Sequence, residues 1–206
     1  MFKKRLLYMI LFGFMVVLSA CGAPSDIEGG AVTDFELPHP NLPAISIYIE
    51  GHGQLIAELY PAYAPMTVQH FMALVEAGFY DGLTFHRIIE GFMMQGGCPN
   101  GVGNGGSGTH IVGEFNDNGI ENPLRHTRGV LSMARSADYN SASSQFFIMH
   151  GDAPHLDGGY AAFGRVIYGI EVIDAVIESV VPLDRNGTLD PDEHPVIREV
   201  RLINGL

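Results

Sequence analysis

The chain has 206 residues, 47% of them hydrophobic, with 26 glycines, 12 prolines and no tryptophan; 23 acidic against 11 basic residues leave a formal charge of −12. So acidic a surface disfavours nucleic acids and anionic membrane faces as partners, because both carry the same sign of charge. The length suits one domain of roughly 150–170 residues plus extra sequence at an end, and many glycines with few helical patterns point to a turn-rich, mainly β domain.

Lys3, Lys4 and Arg5 open the chain as a basic cluster, followed by an apolar run of thirteen residues at 6–18, LLYMILFGFMVVL. That run is too short to span a bilayer, which takes about 20 residues, but it suits the core of a signal peptide. Leu18-Ser19-Ala20-Cys21 then resembles a bacterial lipobox, in which the cysteine thiol is acylated and cleavage makes it the first residue. Residues 1–20 are therefore expected to be a lipoprotein signal peptide, and Cys21 to carry diacylglycerol and a fatty acid such as palmitate. Several acyl chains, each burying many methylenes at ~0.8 kcal/mol apiece, would hold the protein on the extracytoplasmic face of a bacterial cell membrane. Residues 21–43, rich in Gly, Pro and acids, read as a flexible tether with an end-to-end distance of roughly 25 Å. With Cys21 acylated, Cys98 has no cysteine partner within the chain, so no internal disulfide is expected.

The domain is expected over 44–206. AISIYIE (44–50) and QLIAELY (54–60) alternate about a turn at His52-Gly53 and read as a hairpin. APMTVQHFMALVEAG (64–78) is the clearest helix, with Pro65 at its start, Gly78 at its end, and Val68, Phe71, Met72 and Val75 as its apolar stripe. Strand candidates follow at TFHRII, FMMQG, GVLSMAR, SQFFIM, AAFGRVI and VIREVRLI, with a second helix over GIEVIDAVIESV (169–180). Many strands, two helices and no βαβ rhythm suggest a closed barrel or a sandwich with helices at its ends.

Most motifs that promise chemistry fail on context. Gly101-x-Gly103-x-x-Gly106 has the glycines of a dinucleotide fingerprint but lacks the strand–helix frame, so 96–108 reads as a glycine loop beside a groove. His150, Asp152, His155 and Asp157 cluster, yet Gly151 and Pro154 break any helix that would align them, and the cluster reads as a polar turn rather than a metal site. Asn186-Gly187, in the acidic run 183–194, reads as a loop turn. Ser143 and Ser144 have no histidine partner by spacing, and nothing near Cys98 in sequence is expected to lower its pKa. What remains is Arg87, Gln95 and Gln145 among apolar residues. Arg87 cannot shed its proton and, among mostly apolar neighbours, either needs a carbonyl, a carboxylate or a ligand to point at or is a surface arginine on a strand with a buried stem. Phe146 and Phe147 point to opposite faces of a strand, so one can enter the core while the other lines a groove.

FHRIIEGFMMQGG (85–97), GVLSMARS (129–136), SSQFFI (143–148) and HLDGGYAAFGRV (155–166) stand in the order and spacing of cyclophilin-type peptidyl-prolyl cis–trans isomerases. The resemblance covers about 44–204 and implies a closed eight-stranded antiparallel β-barrel capped by two α-helices. It implies isomerisation of X–Pro bonds in proline-containing polypeptides, by a monomer needing no cofactor or metal. Arg87 matches the catalytic arginine and Gln95 the glutamine that orients it. Phe92 completes that set and, with Met93, Phe147 and Leu156, matches the pocket for the proline ring. Gln145 matches a groove residue near the substrate backbone, Ala134, Arg135 and Ser136 the stretch beside the residue before proline, and Tyr160 a position often held by histidine. His155 stands where many members have the tryptophan that helps bind cyclosporin, so weak cyclosporin binding is expected. Arg135 replaces a common asparagine, and a cation there would favour acidic substrates. The rivals from other classes are a non-catalytic proline-binding module and a surface adhesion module.

Overall fold

The computed structural model describes residue 39 and residues 41–203. The signal peptide, Cys21 and most of the tether lie outside the described residues. At the tether's end, the Pro43 carbonyl accepts from Leu59 N–H at 2.8 Å.

Eight strands and two helices run in the order β1 (Ala44–Ile49), β2 (Gly53–Leu59), α1 (Pro65–Glu76), β3 (Phe85–Ile89), β4 (Met93–Gly96), β5 (Val130–Met133), β6 (Phe146–Met149), β7 (Ala162–Tyr168), α2 (Ile170–Glu178) and β8 (Ile197–Ile203). All pair antiparallel in one sheet ordered β3-β4-β6-β5-β7-β2-β1-β8. Every expected strand and helix is present. The alternation that announced β1 and β2 is the burial pattern itself: Ile45, Ile47 and Ile49 face Leu55, Ala57 and Leu59 inside the core.

The expected closed barrel is corrected to a curled half-barrel whose edge strands, β3 and β8, share no ladder. The physical cause lies in the segment before β8. Pro195 has no N–H to offer, and only an isolated bridge, Thr84 to Val196, spans the gap. The rest of the β3 edge is occupied by loop 184–189: Ile88 N–H donates to Gly187 O at 2.8 Å and Leu189 N–H to His86 O at 3.2 Å.

Helix α1 packs Val68, Phe71 and Val75 into the core, while Met72 stays half-buried at its edge. Ala64 at its N-cap offers no side-chain acceptor. Buried Glu114 takes that place, accepting from Met66 N–H at 3.0 Å and from Thr67 N–H and Oγ1–H at 2.7 Å each. Helix α2 starts from Gly169 at φ +76°, where any Cβ would run into the Gln54 carbonyl.

Two apolar clusters share the sheet. Phe146 joins Phe71, Tyr80 and Phe163 inside the half-barrel, with ring centroids 5.3 Å from Phe71 and 5.4 Å from Tyr80. Phe147, its neighbour in β6, falls in the second cluster with Met93, Val130, Met149 and Leu156. The site belongs to that second face.

Candidate active site

Sheet register builds the site. Arg87 on β3 pairs across with Gln95 on β4, Gln95 with Phe147 on β6, and Phe147 with Ser132 on β5. Directly opposed residues share a face, so four short strands place these side chains in one row.

The Arg87 guanidinium is gripped from two sides. Its Nε donates to Asn186 O at 2.7 Å and its Nη1 to Gln95 Oε1 at 3.2 Å, while Nη1 also lies 3.9 Å from Met93 Sδ. Gln95 Nε2 donates to Gln145 Oε1 at 2.9 Å, and Gln145 Nε2 donates to Gly103 O and Gly105 O at 2.9 and 2.8 Å. The chain of amides thus ties the arginine to the glycine loop. Half-burial pulls the guanidinium's pKa down from its usual value, opposed by Tyr160 and Asp184, and the group remains a cation.

Beside it lies a hollow of about 160 Å³ lined by Arg87, Phe92, Met93, Gln95, Ala134, Arg135, Phe147, Leu156 and Tyr160. Nine of the residues singled out in the sequence therefore meet at one place. The hollow is smaller than the roughly 300–1,000 Å³ that hold drug-sized ligands, which suits a single small ring. Gln145 lines an adjoining hollow of about 390 Å³ with Gly103–Gly106, His110, Ser136, Ser141 and Ser143. His155 lines neither of these hollows; its ring stacks on Phe92 with centroids 5.5 Å apart. Arg135 lines both hollows, and its guanidinium donates to Gly159 O and Ser136 O while packing on three aromatic rings.

Several pairings behind the site escaped the sequence reading. His126 Nδ1 meets Asp157 Oδ1 at 3.0 Å, its Nε2 meets Ser132 Oγ at 2.9 Å, and its ring lies nearly parallel to Phe147. Burial lowers the His126 pKa against the pull of Asp157, so the neutral ring donates from Nδ1 and accepts from Ser132. Serine, histidine and aspartate in series resemble a nucleophilic triad, but Ser132 is 0% exposed and no acyl group can reach it. Asp157 comes 31 residues after His126, too far for any local pattern. Asp184 was likewise missed. It accepts from Asn186 N–H at 2.8 Å and Thr188 N–H at 3.1 Å, shaping the loop that presents Asn186 O to Arg87. The Cys98 expectation is corrected. Burial pushes its pKa up, but the backbone amides of Gly105, Asn100, Val102 and Gly103 outweigh burial and lower it.

The site thus sets a fixed cation beside a small hollow walled by Phe92, Met93, Phe147 and Leu156. The sequence matches the family described as cyclophilin type peptidyl-prolyl cis-trans isomerase/CLD over residues 44–202. The chain belongs to that family, enzymes of the EC 5.2.1.8 class. It is 49% identical to peptidyl-prolyl cis-trans isomerase B of Bacillus subtilis over 60% of this chain and 82% of that one. It is 44% identical to a Helicobacter pylori peptidyl-prolyl cis-trans isomerase over 63% of this chain and 80% of the relative. A Cryptosporidium parvum cyclophilin-type isomerase, solved in the presence of the dipeptide Ala-Pro, superposes with a TM-score of 0.68 at 31% identity, covering 79% of this chain and 99% of that one.

Proposed function

We propose that this isomerase accelerates X–Pro rotation in exported or surface polypeptides, assisting their folding, with Arg87 as its catalytic residue. Phe92, Met93, Phe147 and Leu156 hold the proline ring. The observation that carries this reading is a guanidinium held by Asn186 O and Gln95 Oε1 in the wall of a small hollow that Phe92, Met93, Phe147 and Leu156 also line.

Amide resonance sets a rotation barrier of ~18–20 kcal/mol, and uncatalysed X–Pro exchange takes tens of seconds. Twisting the bond ends that resonance and leaves a lone pair on the prolyl nitrogen. An Arg87 N–H directed at this nitrogen stabilises the twisted state more than either planar one, which is the requirement for catalysis. Because Asn186 and Gln95 orient the guanidinium beforehand, little reorganisation remains during the reaction. The cup holds the ring while the chain on one side turns. No bond breaks, so the reaction itself calls for no nucleophile, metal or cofactor.

In this reading the protein is a monomer held by acylated Cys21 on the extracytoplasmic face of a bacterial membrane, and His155 in place of tryptophan makes cyclosporin a weak ligand. The lipobox-like Leu18–Cys21 stretch and the short apolar run before it support the anchor. Mass spectrometry of the native N-terminal peptide tests it; an unmodified Cys21 thiol overturns it. For the catalytic role, Arg87→Ala in the full chain is expected to lower kcat/KM on a proline peptide by about 10²–10³, the scale for losing one preorganised donor. Unchanged activity refutes the role, and an inactive wild-type chain favours the non-catalytic binder.

A further inference from the structure

We infer that Arg135 is a positioning residue of the isomerase site and acts through Tyr160. This deepens the functional reading above and rests on it. The Arg135 guanidinium carbon lies 4.6 Å from the Tyr160 ring centroid, 4.8 Å from Tyr139 and 5.1 Å from Phe115. Its Nε donates to Gly159 O and its Nη1 to Ser136 O, both at 2.9 Å. Three separate stretches of chain therefore converge on one flat cation.

The consequence concerns Tyr160. It stands on the loop between the 3-10 turn Pro154–Leu156 and β7, and its ring meets Phe147 edge-on at 5.9 Å. One side of that ring thus helps wall the proline cup, while Arg135 grips it and the carbonyl just before it. Arg135, together with Gln95 and Ala134, lines both hollows of the groove. Only a planar guanidinium can lie against aromatic faces and donate in its own plane to two carbonyls; a lysine ammonium offers a point charge without that plane. The cup wall touches the proline ring in the planar and the twisted state alike. Loosening it therefore weakens both equally, which appears in KM rather than kcat.

The test is a double-mutant cycle on the full chain, using Arg135→Lys, Tyr160→Leu and their combination, with urea denaturation confirming that each variant folds. Arg135→Lys is expected to raise KM for a proline tetrapeptide about tenfold with kcat within about twofold, and to change KM less than about twofold once Tyr160→Leu is present. An equal KM rise in both backgrounds, an unmoved KM, or a loss confined to kcat each overturns the proposal. A wild-type chain without turnover sinks the isomerase reading instead. Calorimetric affinity for the same peptide, run on the same four proteins, then decides Arg135 through the same cycle.

Discussion

His86 gives the domain an acid-sensitive stability that can be worked out in advance. It precedes Arg87 on β3, is 7% exposed, and its Nδ1 has no hydrogen-bond partner. A Cβ at Gly103 would sit 3.2 Å from its Nε2, so the ring is closed in by the glycine loop. Burial first, then the nearby His194 and Arg87 charges, lower its pKa from 6.5 to about 4. The unfolded chain accepts a proton near pH 6.5 while the native state refuses it until about pH 4. The native state consequently loses stability as pH falls through that window, at ~1.4 kcal/mol per pH unit and ~3 kcal/mol in total. Replacing His86 with leucine removes both the titration and the orphaned polar atom. Urea denaturation followed by circular dichroism, on wild type and His86→Leu from pH 7.5 to 4, reads the difference directly. His126, also lowered by burial, destabilises with the same sign but is present in both proteins and cancels. His86→Leu should match or exceed wild type at pH 7.5 and open a gap of ~2–3 kcal/mol by pH 4.5. Stability curves that run parallel across the range would refute the reasoning.

Gln95→Ala removes the Nη1 tether of Arg87 while leaving Asn186 O in place; kcat/KM should drop about 10–100-fold, the scale of a hydrogen bond to a charged group, with most of the loss in kcat. Glu114→Ala strips two buried donors and one partly buried donor at the start of α1 of their acceptor, and chemical denaturation should register a loss of ~3 kcal/mol with kcat/KM little changed once the protein is folded.

The site was legible because the family resemblance rests on short stretches of sequence that hold most of its residues. Arg87, Phe92, Met93 and Gln95 sit within nine residues of one hairpin, and alternation alone separates Phe146 from Phe147. What stayed hidden is carried by partners distant in sequence. Asn186 reaches Arg87 from 99 residues away, and Asp157 reaches His126 across 31. Each looked like an ordinary turn residue because the pattern around it specifies only its own backbone. The amides around Cys98 escaped for another reason: every residue has an N–H, and nothing in a sequence shows where a glycine loop will aim four of them.

Period and composition by themselves determined eight strands and two helices, and the core side of elements such as β1 and α1, since burial of alternating or helically spaced side chains is a local matter. Tertiary structure alone decided whether the sheet would close. A loop with the Asp184 carboxylate inside it takes the β3 edge that β8 would have needed, and the same loop presents the carbonyl that holds Arg87. Pairing between chain segments about a hundred residues apart depends on which backbone donors arrive unpaired at an edge, and no stretch of sequence records that in isolation.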